Sequence, residues 1–154
     1  MKKIIFLFWI LLLVNFTCHA NETTEVQEFF NNYIEAANSY DTDYFRFYSD
    51  NAKIIRVVEK PDGTLQAVNI PLSRYKSEAK KSTILAKIRR YKNKYINIKL
   101  SKQGNDYKIS ADRVPSTSDY KVPAEFIIGK DSNGDWKIKE ESMNTRVQRF
   151  LQGD

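Results

Sequence analysis

Residues 38–54 read NSYDTDYFRFYSDNAKI, and the change of period inside this stretch decides how the rest of the chain is parsed. Upstream of it, Val26, Phe29, Phe30, Tyr33, Ile34, Ala37 and Tyr40 recur at three- and four-residue steps. That spacing makes one apolar helix face about 100° wide or more. Thr23 or Thr24 can cap the helix, and Glu25 and Glu28 stand near its positive end. Asn38–Asp41 ends it. The segment DTDYFRFYSD (41–50) is then predicted as a short second helix, capped by Asp41 or Thr42, with Tyr44, Phe45 and Tyr48 facing a core. Asp41, Asp43 and Asp50 read as caps and turn formers.

Downstream the period falls to two. AKIIRVVE (52–59), the turn Pro61-Asp62-Gly63 and TLQAVNI (64–70) form a hairpin signal. Pro71 suits the start of a third helix over about 72–88. Four strands follow, at about 94–103, 107–114, 120–130 and 136–145, separated by short Gly-, Pro-, Asn- and Ser-containing turns. Short loops between successive strands imply antiparallel neighbours. The expected domain is α+β: three helices from the N-terminal half packed on a curved, mostly antiparallel six-stranded sheet, in the order α-α-β-β-α-β-β-β-β.

The first twenty residues stand apart. Lys2 and Lys3 precede an eleven-residue apolar run, Ile4–Val14, and small residues at Cys18 and Ala20 follow. This is the pattern of a secretory signal peptide over residues 1–20, cut between Ala20 and Asn21. A membrane-spanning helix would need about 20 apolar residues. A lipoprotein acylated at Cys18 fits worse, because Asn15 and Thr17 occupy places where that motif wants an aliphatic and a small residue. Cleavage leaves 134 of the 154 residues, 21–154, as one domain without cysteine or histidine. Thiolate nucleophiles, imidazole bases and histidine-ligated metals are then excluded, and neither a metal nor a cofactor is expected. The expected location is the periplasm or the exterior.

Three pieces of sequence carry a family resemblance: the leading helix with NSYDTDYFRFYSDNAKI, the hairpin with the third helix, and the ending DSNGDWKIKEESM (131–143). The chain resembles the nuclear transport factor 2-like superfamily, the curved cone that also houses SnoaL-like proteins and ketosteroid isomerase. The resemblance implies a pocket between sheet and helices, used in the family for catalysis, binding or assembly alike. The family's enzymes generally use an Asp base with His or Tyr partners, and no such motif transfers here.

Strand alternation nominates the polar groups that share a face with the core. Tyr107, Ile109 and Ala111 place Arg113 inward; Trp136 and Ile138 place Glu140 and Ser142 inward; and Arg56 competes with Ile55 and Val57 for the inner face. Tyr33 and Tyr40 would add helix-borne hydroxyls. An arginine at a pocket could hold an anionic head group by paired hydrogen bonds. The structural alternative is that Arg113 and Glu140 pair with each other. SRYK (73–76) and SDN (49–51) match motifs of serine-acylating enzymes only by chance, since the order is reversed and K-T-G is missing.

Charge concentrates in residues 76–94, where Lys76, Lys80, Lys81, Lys87, Arg89, Arg90, Lys92 and Lys94 face only Glu78. This block suits an anionic membrane surface, a lipid head group or an acidic protein, the alternative being an ordinary solvated helix face. Its two aromatics, Tyr75 and Tyr91, are too few for a nucleic-acid stacking platform, so nucleic acid is not expected. Three function classes remain. The first is a non-catalytic module binding a small amphipathic or anionic ligand. The second is a SnoaL-like isomerase, cyclase or hydrolase using a carboxylate or tyrosine. The third is a homodimeric assembly or inhibitory protein working through a sheet face.

Overall fold

The computed structural model describes residues 21–117 and 120–152; the predicted leader lies outside the described residues. Helix α1 covers residues 21–38. After a 3₁₀ turn at Tyr44–Phe47 come strand β1 (Tyr48–Glu59), strand β2 (Leu65–Ile70) and helix α2 (Leu72–Ile88). Strands β3 (Asn93–Gln103), β4 (Asp106–Pro115), β5 (Val122–Lys130) and β6 (Trp136–Thr145) complete one sheet, and a second 3₁₀ turn spans Gln148–Leu151.

The sheet order is β2-β1-β6-β5-β4-β3. β1 runs parallel to β6 and every other neighbour is antiparallel, so the sheet is mixed, with a hairpin and a four-stranded meander joined by that parallel pair. α1 lies across one face. Its Phe30 and Tyr33 meet Phe126 of β5 edge-on, with ring centroids 4.9 and 5.8 Å apart. Val26, Phe30, Ile54, Val58, Ile109, Phe126, Ile128 and Ile138 are almost completely covered, and each such side chain contributes about 1.5–3 kcal/mol of burial. At its other end α1 is tied down by Glu22, which accepts a hydrogen bond from the Tyr107 hydroxyl at 2.9 Å, and by Glu25, which accepts one from Trp136 at 3.2 Å.

The predicted second helix is corrected: there are two α-helices among the described residues, and the segment after α1 holds only the four-residue turn Tyr44–Phe47. Two causes combine. Aromatic residues are weak helix formers, and β1 starts at Tyr48, because that residue pairs with Ile138 of β6. The Asp41 carboxylate accepts from the backbone N–H of Asp43 at 2.8 Å and closes a turn instead of capping a helix.

A second correction concerns β6. Ile127 of β5 pairs with Glu140, but Ile128 pairs with Ile138, so Lys139 is an extra residue in the ladder. A β-bulge of this kind reverses which side chains face inward beyond it. Ile138, Glu141 and Met143 are buried, while Glu140 and Ser142 turn to the outer face.

Candidate functional site

The inner side of α2 is lined by small residues. Ala79, Ser82, Thr83 and Ala86 face the space between α2 and the sheet, Ala79 alone of the four packing against the core, and no residue of α2 is buried. The space they leave is a cavity of about 410 Å³ between α1, α2 and the sheet, within the range of small-molecule sites. Six tyrosines line it: Tyr33, Tyr40 and Tyr44 from the α1 side, Tyr75 and Tyr91 from α2 and its exit, and Tyr95 from β3. Each offers a ring to pack against and a hydroxyl to bond with.

Beneath the floor sits Glu141, whose side chain is fully covered. Its Oε1 accepts from Arg56 Nη2 at 2.6 Å and from the Tyr75 hydroxyl at 3.4 Å. Its Oε2 accepts from the hydroxyls of Tyr48 and Tyr33, which are themselves 2.9 Å apart. Arg56 also donates to the Ile55 carbonyl and lies 4.9 Å from the centre of the Tyr75 ring. Burial first, then the Glu141 charge, pushes the pKa of Tyr33, Tyr48, Tyr75 and Tyr95 above the ordinary phenol range, so these hydroxyls keep their protons. For Arg56 burial pulls the other way, but the Glu141 carboxylate more than offsets it and the guanidinium is held more firmly protonated. The cluster is a neutral, saturated platform.

The opposite wall is less satisfied. Arg113 makes two long hydrogen bonds through Nη1, to the Tyr91 hydroxyl at 3.4 Å and Asn93 Oδ1 at 3.3 Å. Its buried Nε has no partner, and among the described residues no carboxylate lies within ion-pair distance of it. The Tyr40 hydroxyl is likewise buried and unpartnered. Tyr40 adopts a left-handed backbone, φ 62°, because α1 ends in a Schellman motif: Asp41 N–H bonds the Ala36 carbonyl and Tyr40 N–H the Ala37 carbonyl. Glycine is the usual residue there, so an aromatic carries strain of about 1–2 kcal/mol. Asn38 fixes the same corner by a double hydrogen bond with the Asn93 backbone, 2.8 Å each way.

Of the sequence-predicted pocket residues, Tyr33, Tyr40, Arg56 and Arg113 line this cavity. Glu140 does not, and neither does Ser142. Glu140 borders an open groove on the outer face with Lys53, Lys76 and Lys139, because the Lys139 bulge turned it there. Arg113 and Glu140 therefore do not pair. Sequence reasoning missed Glu141, and the only signal for it was the adjacency of two carboxylates, Glu140-Glu141, where one extra residue exchanges their faces. The basic block divides as well. Lys80, Lys81, Lys87, Arg89 and Arg90 are exposed on or just beyond α2, Lys76 joins the outer groove, and Lys92 and Lys94 flank the start of β3. Among the described residues no group of three or more acidic, His or Cys side chains could hold a metal ion. No helix there is long and apolar enough to cross a membrane.

No protein-family model matches the chain, and comparison with curated proteins finds no match. Solved structures do match. A nuclear transport factor 2-like protein with a cystatin-like fold from Novosphingobium aromaticivorans is 10% identical, covers 92% of this chain and 96% of its own, and superposes with a TM-score of 0.66. A nuclear transport factor 2-like protein of unknown function from Pseudomonas putida KT2440 is also 10% identical, over 81% of this chain and 87% of its own, at 0.62. ActVI-ORFA from Streptomyces coelicolor is 8% identical, over 80% and 94%, at 0.56. Identities this low speak to architecture alone, and on that architecture the chain has the nuclear transport factor 2-like, cystatin-like fold.

Proposed function

We propose that the protein is a binding module whose cavity accepts a small amphipathic molecule with an anionic head, and that it acts outside the cytoplasm after loss of its leader. The observation that carries this reading is Arg113, a cation at the cavity wall whose guanidinium makes only two long hydrogen bonds and, among the described residues, has no carboxylate within ion-pair distance. An anionic group would accept paired, charge-assisted hydrogen bonds from this guanidinium. The tyrosine rings and Met143 give the remainder of the ligand an apolar bed.

Carboxylate-based catalysis of the isomerase, cyclase or hydrolase kind has one observation in its favour, the buried Glu141. Both oxygens of that carboxylate are committed to Arg56 and three tyrosyl hydroxyls, and its side chain is covered from the cavity. A general base must come within hydrogen-bond reach of the proton it takes, so this geometry supports binding better than proton abstraction. Titration with the anionic amphipathic dye 8-anilinonaphthalene-1-sulfonate tests the reading. Saturable binding of one dye per chain is expected, weakened about tenfold or more in Arg113→Gln, since bonds to a charged group are worth about 1.5–3 kcal/mol. Absence of saturable binding, or an unaffected Arg113→Gln variant, would overturn it. Native mass spectrometry of protein from the exporting cells reports any resident ligand together with the leader cut.

A further inference from the structure

Among the described residues, nothing covers the face of α2 turned away from the cavity. Ile84, Leu85 and Ile88 are 68%, 55% and 72% exposed, although an outward helix face ordinarily carries polar residues. Ile84 and Ile88 are one turn apart. Lys80, Lys81 and Lys87 stand four and three residues before and three after Ile84, so these cations surround the two isoleucines on the same face. Arg89 follows at the helix end. Among the described residues none of these four cations is within ion-pair distance of a carboxylate. The one acid of the helix, Glu78, is engaged by Arg74 at 3.0 Å.

We infer that the outer face of α2 docks the protein on an anionic phospholipid surface. Ile84, Leu85 and Ile88 enter the boundary between head groups and acyl chains, and Lys80, Lys81, Lys87 and Arg89 reach the lipid phosphates. An apolar centre ringed by long cationic side chains is the arrangement of a helix lying in a bilayer interface, where lysine stems lie along apolar surface and the ammonium groups stay wet. An acidic protein would pair with the cations, but charge complementarity alone gives Ile84 and Ile88 nothing to bury against. The inference does not depend on what the cavity binds.

The test is co-sedimentation of the protein, as purified from exporting cells, with vesicles of phosphatidylcholine alone or mixed with phosphatidylglycerol. Binding to the mixed vesicles is expected, falling as salt rises. Lys80→Gln/Lys81→Gln/Lys87→Gln should weaken it about a hundredfold, at about fivefold per cation. Ile84→Ser/Ile88→Ser should weaken it about tenfold or more. All five positions are exposed, so the fold should persist, as circular dichroism would verify. Hydrogen exchange on the unaltered protein gives a measurement that needs no variant: backbone amides of residues 80–90 should slow when anionic vesicles are added. Equal partition onto neutral vesicles, variants that sediment like the parent, unchanged exchange in 80–90, or tighter capture by polyglutamate than by vesicles would each overturn the inference.

Discussion

Glu141→Gln is the change that most directly probes the interior. The substitution keeps shape and removes charge, leaving Arg56, 6% exposed, as an uncompensated cation inside the fold. Glutamine also offers one acceptor oxygen where the carboxylate used two, and its amide hydrogens would face hydroxyl groups that now donate to Glu141. Breaking a buried pair by altering one partner costs about 3–5 kcal/mol, a large part of the 5–15 kcal/mol typical of a whole domain. Removing both charges in Arg56→Met/Glu141→Leu should cost far less, because two ions no longer have to be held out of water. Such replacements range from neutral to about 1–4 kcal/mol stabilising, and the hydroxyls of Tyr33 and Tyr48 retain each other at 2.9 Å. Urea unfolding followed by circular dichroism, with linear extrapolation, measures both. A loss below about 1 kcal/mol in Glu141→Gln, or a double variant as unstable as the single one, would refute the picture of a buried ion pair.

Alkali should unfold the protein cooperatively. Tyr33, Tyr44, Tyr48, Tyr75 and Tyr95 keep their protons in the fold to higher pH than in the unfolded chain, so their contribution is intact below about pH 10 and is lost as pH rises above it, by about 1.4 kcal/mol per tyrosine per pH unit. Phenolate absorbance should therefore rise together with loss of the far-ultraviolet signal, and ionisation of these tyrosines ahead of unfolding would contradict their burial. Tyr40→Phe removes a buried hydroxyl that has no partner among the described residues; stability should hold or rise by up to about 1 kcal/mol in urea unfolding, and a clear destabilisation would show that the hydroxyl supports the fold.

Much of the architecture was written locally. The three- and four-residue spacing from Val26 to Tyr40 encodes a helix with one apolar face, and α1 buries Val26, Phe30, Tyr33 and Ala36. The alternation of Val122, Ala124, Phe126 and Ile128 fixes the inner face of β5, where all four are buried. Gly63, Gly104 and Gly134 mark three turns between strands, each with a left-handed backbone that glycine adopts freely. Arg113 could be placed from the phase of Tyr107, Ile109 and Ala111 because β4 keeps an unbroken register with β5.

What local sequence could not settle were the features that depend on pairing between distant segments. Whether Tyr48 ends a helix or begins a strand is decided by Ile138, ninety positions along the chain. Whether Glu140 or Glu141 enters the interior is decided by one surplus residue, Lys139, in the ladder with β5, and periodicity cannot reveal a bulge that both registers would tolerate. The tertiary fold likewise made the cavity, since Ala79, Thr83 and Ala86 read as ordinary helix residues until α2 is set beside the sheet and their shortness becomes empty space. Sequence specified which residues alternate and where the chain turns. Only long-range pairing determined the phase of that alternation, and phase assigns each side chain to the core, the cavity or water.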